Sequence, residues 1–225
     1  MRQNKLLPED TVLIMDTTYF GRTFGVMVFR DHNLKRNLYW KYVAYETIAA
    51  YQHGISYLQS LGWRIKGIVC DGRRGIFSGF GFIPIQMCQY HQIAIITRYI
   101  TRKPKLEAGK ELKTIVSCLP QSTYSSFSDL LDNWYSKWKG FLSEKAQNQE
   151  SGKWHYVHKR TRSAYRSLKT NLPFLFTYQL YPDLNIPNTT NSLEGVFANL
   201  KRILGNHRGL KSERKIKYIN EIMAN

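Results

Sequence analysis

The chain is 225 residues long and sets 33 lysines and arginines against 16 aspartates and glutamates, a formal net charge of +17. With 43% apolar and 14% aromatic residues it can build one sizeable core, which excludes a chain disordered throughout and an acidic solvating segment. No run approaches the roughly 20 apolar residues of a bilayer-spanning helix, MRQNKLLPED has no signal-peptide core, and Cys70, Cys88 and Cys118 form no secreted disulfide framework.

The first hundred residues read as an α/β unit. Thr11 to Asp16, Gly25 to Arg30 and Asn37 to Ala44 are apolar, strand-forming runs separated by short turns, which predicts an antiparallel meander. Ile48, Tyr51, Ile55, Leu58 and Leu61 then recur every three or four residues, so Thr47 to Leu61 is expected to be an amphipathic helix despite Gly54. Arg64 to Asp71 is the next strand, and a helical crossover makes it parallel to the first. A short turn or helix from Gly72 to Phe80 leads to a fifth strand over Ile83 to Tyr90.

Residues 102–187 are expected to be mainly helical. Leu130, Trp134 and Trp138 give helical stripes, Lys145 to Gly152 is a polar loop, and Tyr178 to Thr190, with Pro182 and Pro187, is a connector. A last periodic helix runs from Asn191 to about Leu204. The expected organisation is therefore a core begun by residues 1–101, a helical insertion over 102–187, a final core helix within 188–210 and a basic tail over 211–225.

Three carboxylates stand out. Asp16 ends an apolar strand on the face of Val12 and Ile14, and Asp71 ends another and is followed by Gly72. If the strands are neighbours, both carboxylates meet at one sheet end, where α/β proteins bind ligands. Each could equally cap or turn the chain after its strand. Glu194 lies beside the apolar stripe of the last helix with Asn191 three residues before it, so it can face the sheet edge or close a capping box. Clustered carboxylates suit Mg²⁺ or Mn²⁺, and two such ions about 4 Å apart support in-line displacement at phosphorus.

The ordered set VLIMDTTYFG, VCDGRRGIF, CQYH and NTTNSLEGVFANLKRILGNHRGL resembles the Mutator-like class of DDE transposases of bacterial insertion sequences and eukaryotic elements. The resemblance spans about Thr11 to Leu210. It implies a ribonuclease-H-like mixed five-stranded sheet with flanking helices and a helical insertion before the final catalytic helix. It also implies catalytic, metal-holding roles for Asp16, Asp71 and Glu194, with Mg²⁺ or Mn²⁺ as two ions. Cys88 and His91 match the family's Cys-x-x-His signature and, with Asn191 and His207, are expected to support the site rather than to ligate metal. Expected partners are double-stranded DNA at transposon ends and target DNA, with a homo-oligomer in the synaptic complex. The expected setting is cytoplasmic, without membrane contact, and nucleoid-associated if bacterial. Only about ten residues precede the first strand, so the family's N-terminal DNA-recognition region is expected to be missing. Two other readings share the metal cluster or the charge: a ribonuclease-H-like nuclease that does not join strands, and a truncated, non-catalytic DNA-binding fragment.

Basic segments complete the sequence picture. The stretch Lys153 to Lys169 carries Lys159, Arg160, Arg162 and Arg166, contains no acidic residue and includes Trp154 and Tyr156, a pattern suited to phosphates and unpaired bases or to a plain solvated helix. Lys201, Arg202 and Arg208 form a second basic region after Glu194. Arg73 and Arg74, in Gly72-Arg73-Arg74-Gly75, are candidate backbone contacts, but that run lacks the pattern of a nucleotide-binding loop, so no nucleotide cofactor is expected.

Overall fold

The computed structural model describes residues 8–21, 24–73, 75–206 and 209–224. Arg74, His207 and Arg208 lie outside the described residues. Strands β1 (Asp10–Phe20), β2 (Phe24–Asp31) and β3 (Asn37–Val43) form the meander, helix α1 (Ile48–Ser60) crosses over, and β4 (Arg64–Cys70) and β5 (Ile85–Met87) follow. The sheet order is β3-β2-β1-β4-β5, antiparallel from β1 to β3 and parallel across β1, β4 and β5. This mixed five-stranded sheet with helices on its faces has the ribonuclease-H-like topology.

Strand β1 sits at the centre and is apolar on both faces. Leu13 and Met15 join Met27, Phe29, Ile68 and Cys70 beneath α1, whose Tyr51, Ile55 and Leu58 are buried. Gly54 explains how the helix comes so close: a Cβ there would lie 2.1 Å from the Phe29 ring. The residue that weakens the helical pattern is thus the one that lets α1 pack. Val12 and Ile14 face the other way, with Val26, Val28 and Val69, against Leu193, Phe197 and Leu200 of α7 (Asn191–Asn206).

The expected fifth strand is shorter than its apolar run. It ends at Met87, and α2 (Gln89–Ile100) begins two residues later, so Tyr90 is helical. Residues 102–187 contain α3 (Glu107–Ser117), α4 (Tyr124–Ser143), α5 (Lys159–Leu175) and α6 (Thr177–Leu180), whose Leu112, Phe127, Trp134 and Leu168 share one apolar cluster with Met87 of β5 and Ile96 and Ile100 of α2. The polar stretch expected to loop outward pairs as a small hairpin, β6 (Lys145–Gln147) with β7 (Trp154–Tyr156). Buried glutamines join insertion to sheet: Gln86 and Gln89 each donate to the Leu175 carbonyl at 2.9 Å, and the Tyr178 N–H donates to Gln86 Oε1 at 3.0 Å. These bonds, with Thr177 Oγ1 to the Ile85 carbonyl at 2.7 Å, cover the edge beside β5.

Much of the expected basic tail is helix α8 (Ser212–Ala224). Asn220 on α8 accepts from Trp40 Nε1 and from the Tyr42 hydroxyl, both at 2.9 Å, so α8 lies on the β3 side of the α7 face. Among the described residues no helix is long and apolar enough to cross a membrane.

Candidate metal centre

Register places the two aspartates. Ile14 of β1 is paired with Val69 of β4 in a parallel ladder, so Asp16 and Asp71 each lie two residues further along, on the face that Ile14 and Val69 share. That face is covered by α7, which carries Glu194. The backbone N–H of Thr17 donates to Asp16 Oδ1 at 2.7 Å, and that of Arg73 to Asp71 Oδ1 at 3.1 Å, which orients each carboxylate. Gly72, at φ +80°, makes the turn after Asp71, and a Cβ there would lie 2.4 Å from the Met87 side chain. Burial, reinforced by the charge of Asp71, pushes the Asp16 carboxyl up to about 7, despite the Thr17 hydrogen bond. Two carboxylates confined in this way repel, and a cation between them would relieve the repulsion.

Glu194 is held from another direction. The segment before α7 is tied to the start of α2: the Gln89 N–H donates to the Asn188 carbonyl at 2.9 Å, and Asn188 Nδ2 to Gln89 Oε1 at 3.0 Å. This brings the buried Thr190 hydroxyl to 3.4 Å from Cys88 Sγ, 3.5 Å from His91 Nδ1 and 3.2 Å from Glu194 Oε1. One hydroxyl proton cannot serve all three, so Thr190 marks a point on which three donors of different chemistry converge. Cys88, His91 and Glu194 offer ligand atoms that all lie within 4.8 Å of one another, and they are the group of three potential ligands found among the described residues.

This arrangement differs from the expected one. The sequence pattern gives Cys88 and His91 a supporting role beside three carboxylates, whereas the tight donor group joins them directly to Glu194, with Asp16 and Asp71 outside it. The two halves remain electrostatically linked. The hydrogen bond to Cys88 foremost, against burial, raises the His91 imidazole, and the charges of Cys88, Asp16 and Asp71 add to it. Burial works against a Cys88 thiolate, but hydrogen bonds from His91 and Thr190 outweigh it and hold the thiol below its usual range. Nor does Glu194 close a capping box through Asn191. Its backbone N–H donates to the Thr190 carbonyl at 3.1 Å, its carboxylate accepts from the Thr190 hydroxyl, and Asn191 opens the helix exposed to solvent.

The donor sets suit different cations. Asp16 and Asp71 offer the oxygen ligands of a hard ion such as Mg²⁺ or Mn²⁺, whereas sulfur and imidazole nitrogen beside one carboxylate suit a softer ion such as Zn²⁺. The Cys88–His91–Glu194 group fits a divalent metal, and as a three-ligand set it leaves a coordination position open.

Sequence reading missed Glu46. It lies just before α1, its side chain is 12% exposed, and it receives the Tyr51 hydroxyl at 2.5 Å and Arg73 Nη1 at 2.8 Å. Tyr51 in turn lies 3.1 Å from Thr17 Oγ1, which completes a link from the residue beside Asp16 to the turn beside Asp71. Burial raises the Glu46 carboxyl, the Tyr51 bond opposes this, and the charge of Asp71 adds to it. Nothing in Ala44-Tyr45-Glu46-Thr47 signals this, because only the path from β3 into α1 brings Glu46 to that end of the sheet.

The expected nucleic-acid contacts divide by surroundings. Arg73 is exposed but paired with Glu46, and Arg162 is half-buried with its guanidinium 4.1 Å from the Tyr156 ring centre. Lys159, Arg160, Arg166, Lys201 and Arg202 are exposed. Comparison of the chain with protein-family models and with curated proteins returned no match.

Proposed function

We infer that the chain is a divalent-metal-dependent enzyme that cleaves phosphodiesters in nucleic acid. The observation that carries this reading is the parallel pairing of Ile14 with Val69, which sets Asp16 within β1 and Asp71 just past β4, each two residues further on the face where α7 presents Glu194. The net charge of +17 supplies the attraction for a polyanion that these acidic groups would otherwise repel.

Asp16 and Asp71 would hold a hard cation through oxygen, and Glu194, with Cys88 and His91, a second position beside it. A divalent ion bound there supplies Lewis acidity and a more acidic water. The protein's own groups set the geometry. Thr17 and Arg73 fix the aspartates through backbone N–H bonds, and Thr190 steadies Glu194. No covalent protein nucleophile is required.

Cleavage of labelled DNA and RNA oligonucleotides in chelator, Mg²⁺, Mn²⁺ and Zn²⁺ tests this reading. Activity should need a cation and fall by at least a hundredfold (on the order of ~3 kcal/mol) in Asp16→Asn and Asp71→Asn. Undiminished cleavage by both variants overturns it.

A finer reading is DNA transposition, with cleavage followed by strand transfer on paired ends in a homo-oligomer. It is supported by the helical insertion between α2 and α7 together with the ordered motifs around Asp16, Asp71, Cys88, His91 and Glu194. Joined products from paired ends distinguish it from a nuclease that only hydrolyses.

A further inference from the structure

Helices α2 and α5 run antiparallel. Gln92 Nε2 donates to Ser167 Oγ at 3.2 Å and Asn171 Nδ2 to Gln92 Oε1 at 2.8 Å near one end, while Arg160 Nη2 donates to the Arg98 carbonyl at 3.0 Å near the other. A cleft of about 720 Å³ opens along their seam. On the α5 side it is lined by Lys159, Ser163, Ser167 and Asn171, spaced one per turn, with Arg160 beside them. On the α2 side it is lined by Ile95, Arg98 and Tyr99. Gly72, the residue after Asp71, borders it as well, and none of the lining residues is acidic.

Through Gly72 the cleft reaches the border of the candidate metal centre. His91 and Ile95 stand four residues apart on α2, and Arg98 follows one turn later. The seven residues from His91 to Arg98 rise by about 10 Å. We propose that this cleft is the path of a single nucleic-acid strand entering or leaving the metal centre, with Arg98, Lys159 and Arg160 on its phosphates and Tyr99 against a base. The proposal deepens the nucleic-acid reading given above and rests on it.

Charge, shape and chemistry agree on this occupant. Arg160 spends one N–H on the Arg98 carbonyl, and a guanidinium has five. Ser163, Ser167 and Asn171 provide uncharged hydrogen-bonding groups between the cations and the centre. The exposed Tyr99 ring can stack on any base, so the cleft tracks a backbone without reading its sequence. Its volume is that of a ligand-sized pocket, which a single strand lying along the seam can enter.

Binding in chelator, where no cleavage occurs, tests the path separately from the chemistry. Anisotropy of a labelled single strand and of the matching duplex is followed against salt for the wild type, for Arg98→Ala/Lys159→Ala/Arg160→Ala, and for a control with the exposed Lys103, Lys105 and Lys139 changed to Ala. For the single strand, the cleft variant should flatten the dependence of log affinity on log salt by roughly 2, the slope of three lost phosphate contacts. The control should change it by less, and the duplex should respond less than the single strand. Ser163→Glu, which places a negative charge within the cleft, should weaken single-strand binding at least fivefold, with folding checked by circular dichroism. Equal losses in the cleft and control variants, equal losses on both ligands, or wild-type binding by a folded Ser163→Glu variant would each overturn the proposal. A chain that binds through the cleft but never cleaves would leave the path standing and remove the enzymatic reading instead.

Discussion

Replacing Asp16 by Asn should make the metal-free protein more stable at pH 8, although it removes a residue assigned to the reaction centre. Burial above all, with the charge of Asp71, moves the Asp16 carboxyl from 3.8 to about 7, so its ionised form is disfavoured in the fold. A folded value above the unfolded one gives stability that is complete below about pH 4 and is lost as pH rises to about 7. That displacement corresponds to ~4 kcal/mol at most, and relaxation with partial access of water should leave about half of it. For a chain of this size that is a rise in Tm of roughly 4–8 °C. Asp16→Asn should therefore melt higher than the wild type in chelator at pH 8 and nearly with it at pH 4. Added Mn²⁺ should narrow the gap at pH 8, because the wild type gains ~2.7 kcal/mol at a hundredfold excess over Kd and the variant gains less. Thermal unfolding across this pH range, with and without cation, provides the measurement. A variant no more stable than the wild type at pH 8, or a gap of equal size at both pH values, would refute the argument from burial and repulsion.

Cys88→Ser and His91→Gln should each weaken Zn²⁺ or Cd²⁺ binding by tenfold or more while changing Mg²⁺ binding little, as read by calorimetry and, for Cd²⁺, by loss of thiolate absorption in Cys88→Ser. Gly54→Ala should destabilise the fold by about 1–3 kcal/mol through overpacking against Phe29, measured by urea unfolding. Tyr51→Phe leaves Glu46 without its hydroxyl partner and should cost roughly 1–3 kcal/mol. Because that bond holds the Glu46 carboxyl down, its loss should move the carboxyl further up and steepen the fall in stability from acid toward neutral pH.

Local pattern carried much of the fold. Apolar runs marked β1 to β4, the three- and four-residue spacing marked α1 and α7, and the two-residue alternation put Asp16 on the face of Val12 and Ile14 that α7 covers. Where the pattern misled, the reason was an apolar run shared by two elements. Ile83 to Tyr90 reads as one strand, but its end turns into α2, and this turn places Cys88 and His91 within reach of Glu194.

Strand and helix periods are properties of neighbouring residues, so the sequence alone could determine the elements, the excess of positive charge and Asp71 just past the end of β4, whereas Asp16, expected to end its strand, lies inside β1 because pairing with β2 carries that strand on to Phe20. Which side chains converge depends on connections whose paths leave no periodic trace. The route from β3 into α1 delivers Glu46, the docking of Asn188 on Gln89 delivers Thr190 and Glu194, and the antiparallel seam of α2 and α5 gathers cations sixty residues apart along the chain (roughly, from Arg98 to Lys159) beside Gly72. Tertiary packing also turned Arg73 toward Glu46 and Arg162 toward Tyr156, since a cation near a carboxylate or an aromatic face is drawn to it whatever its sequence neighbours suggest.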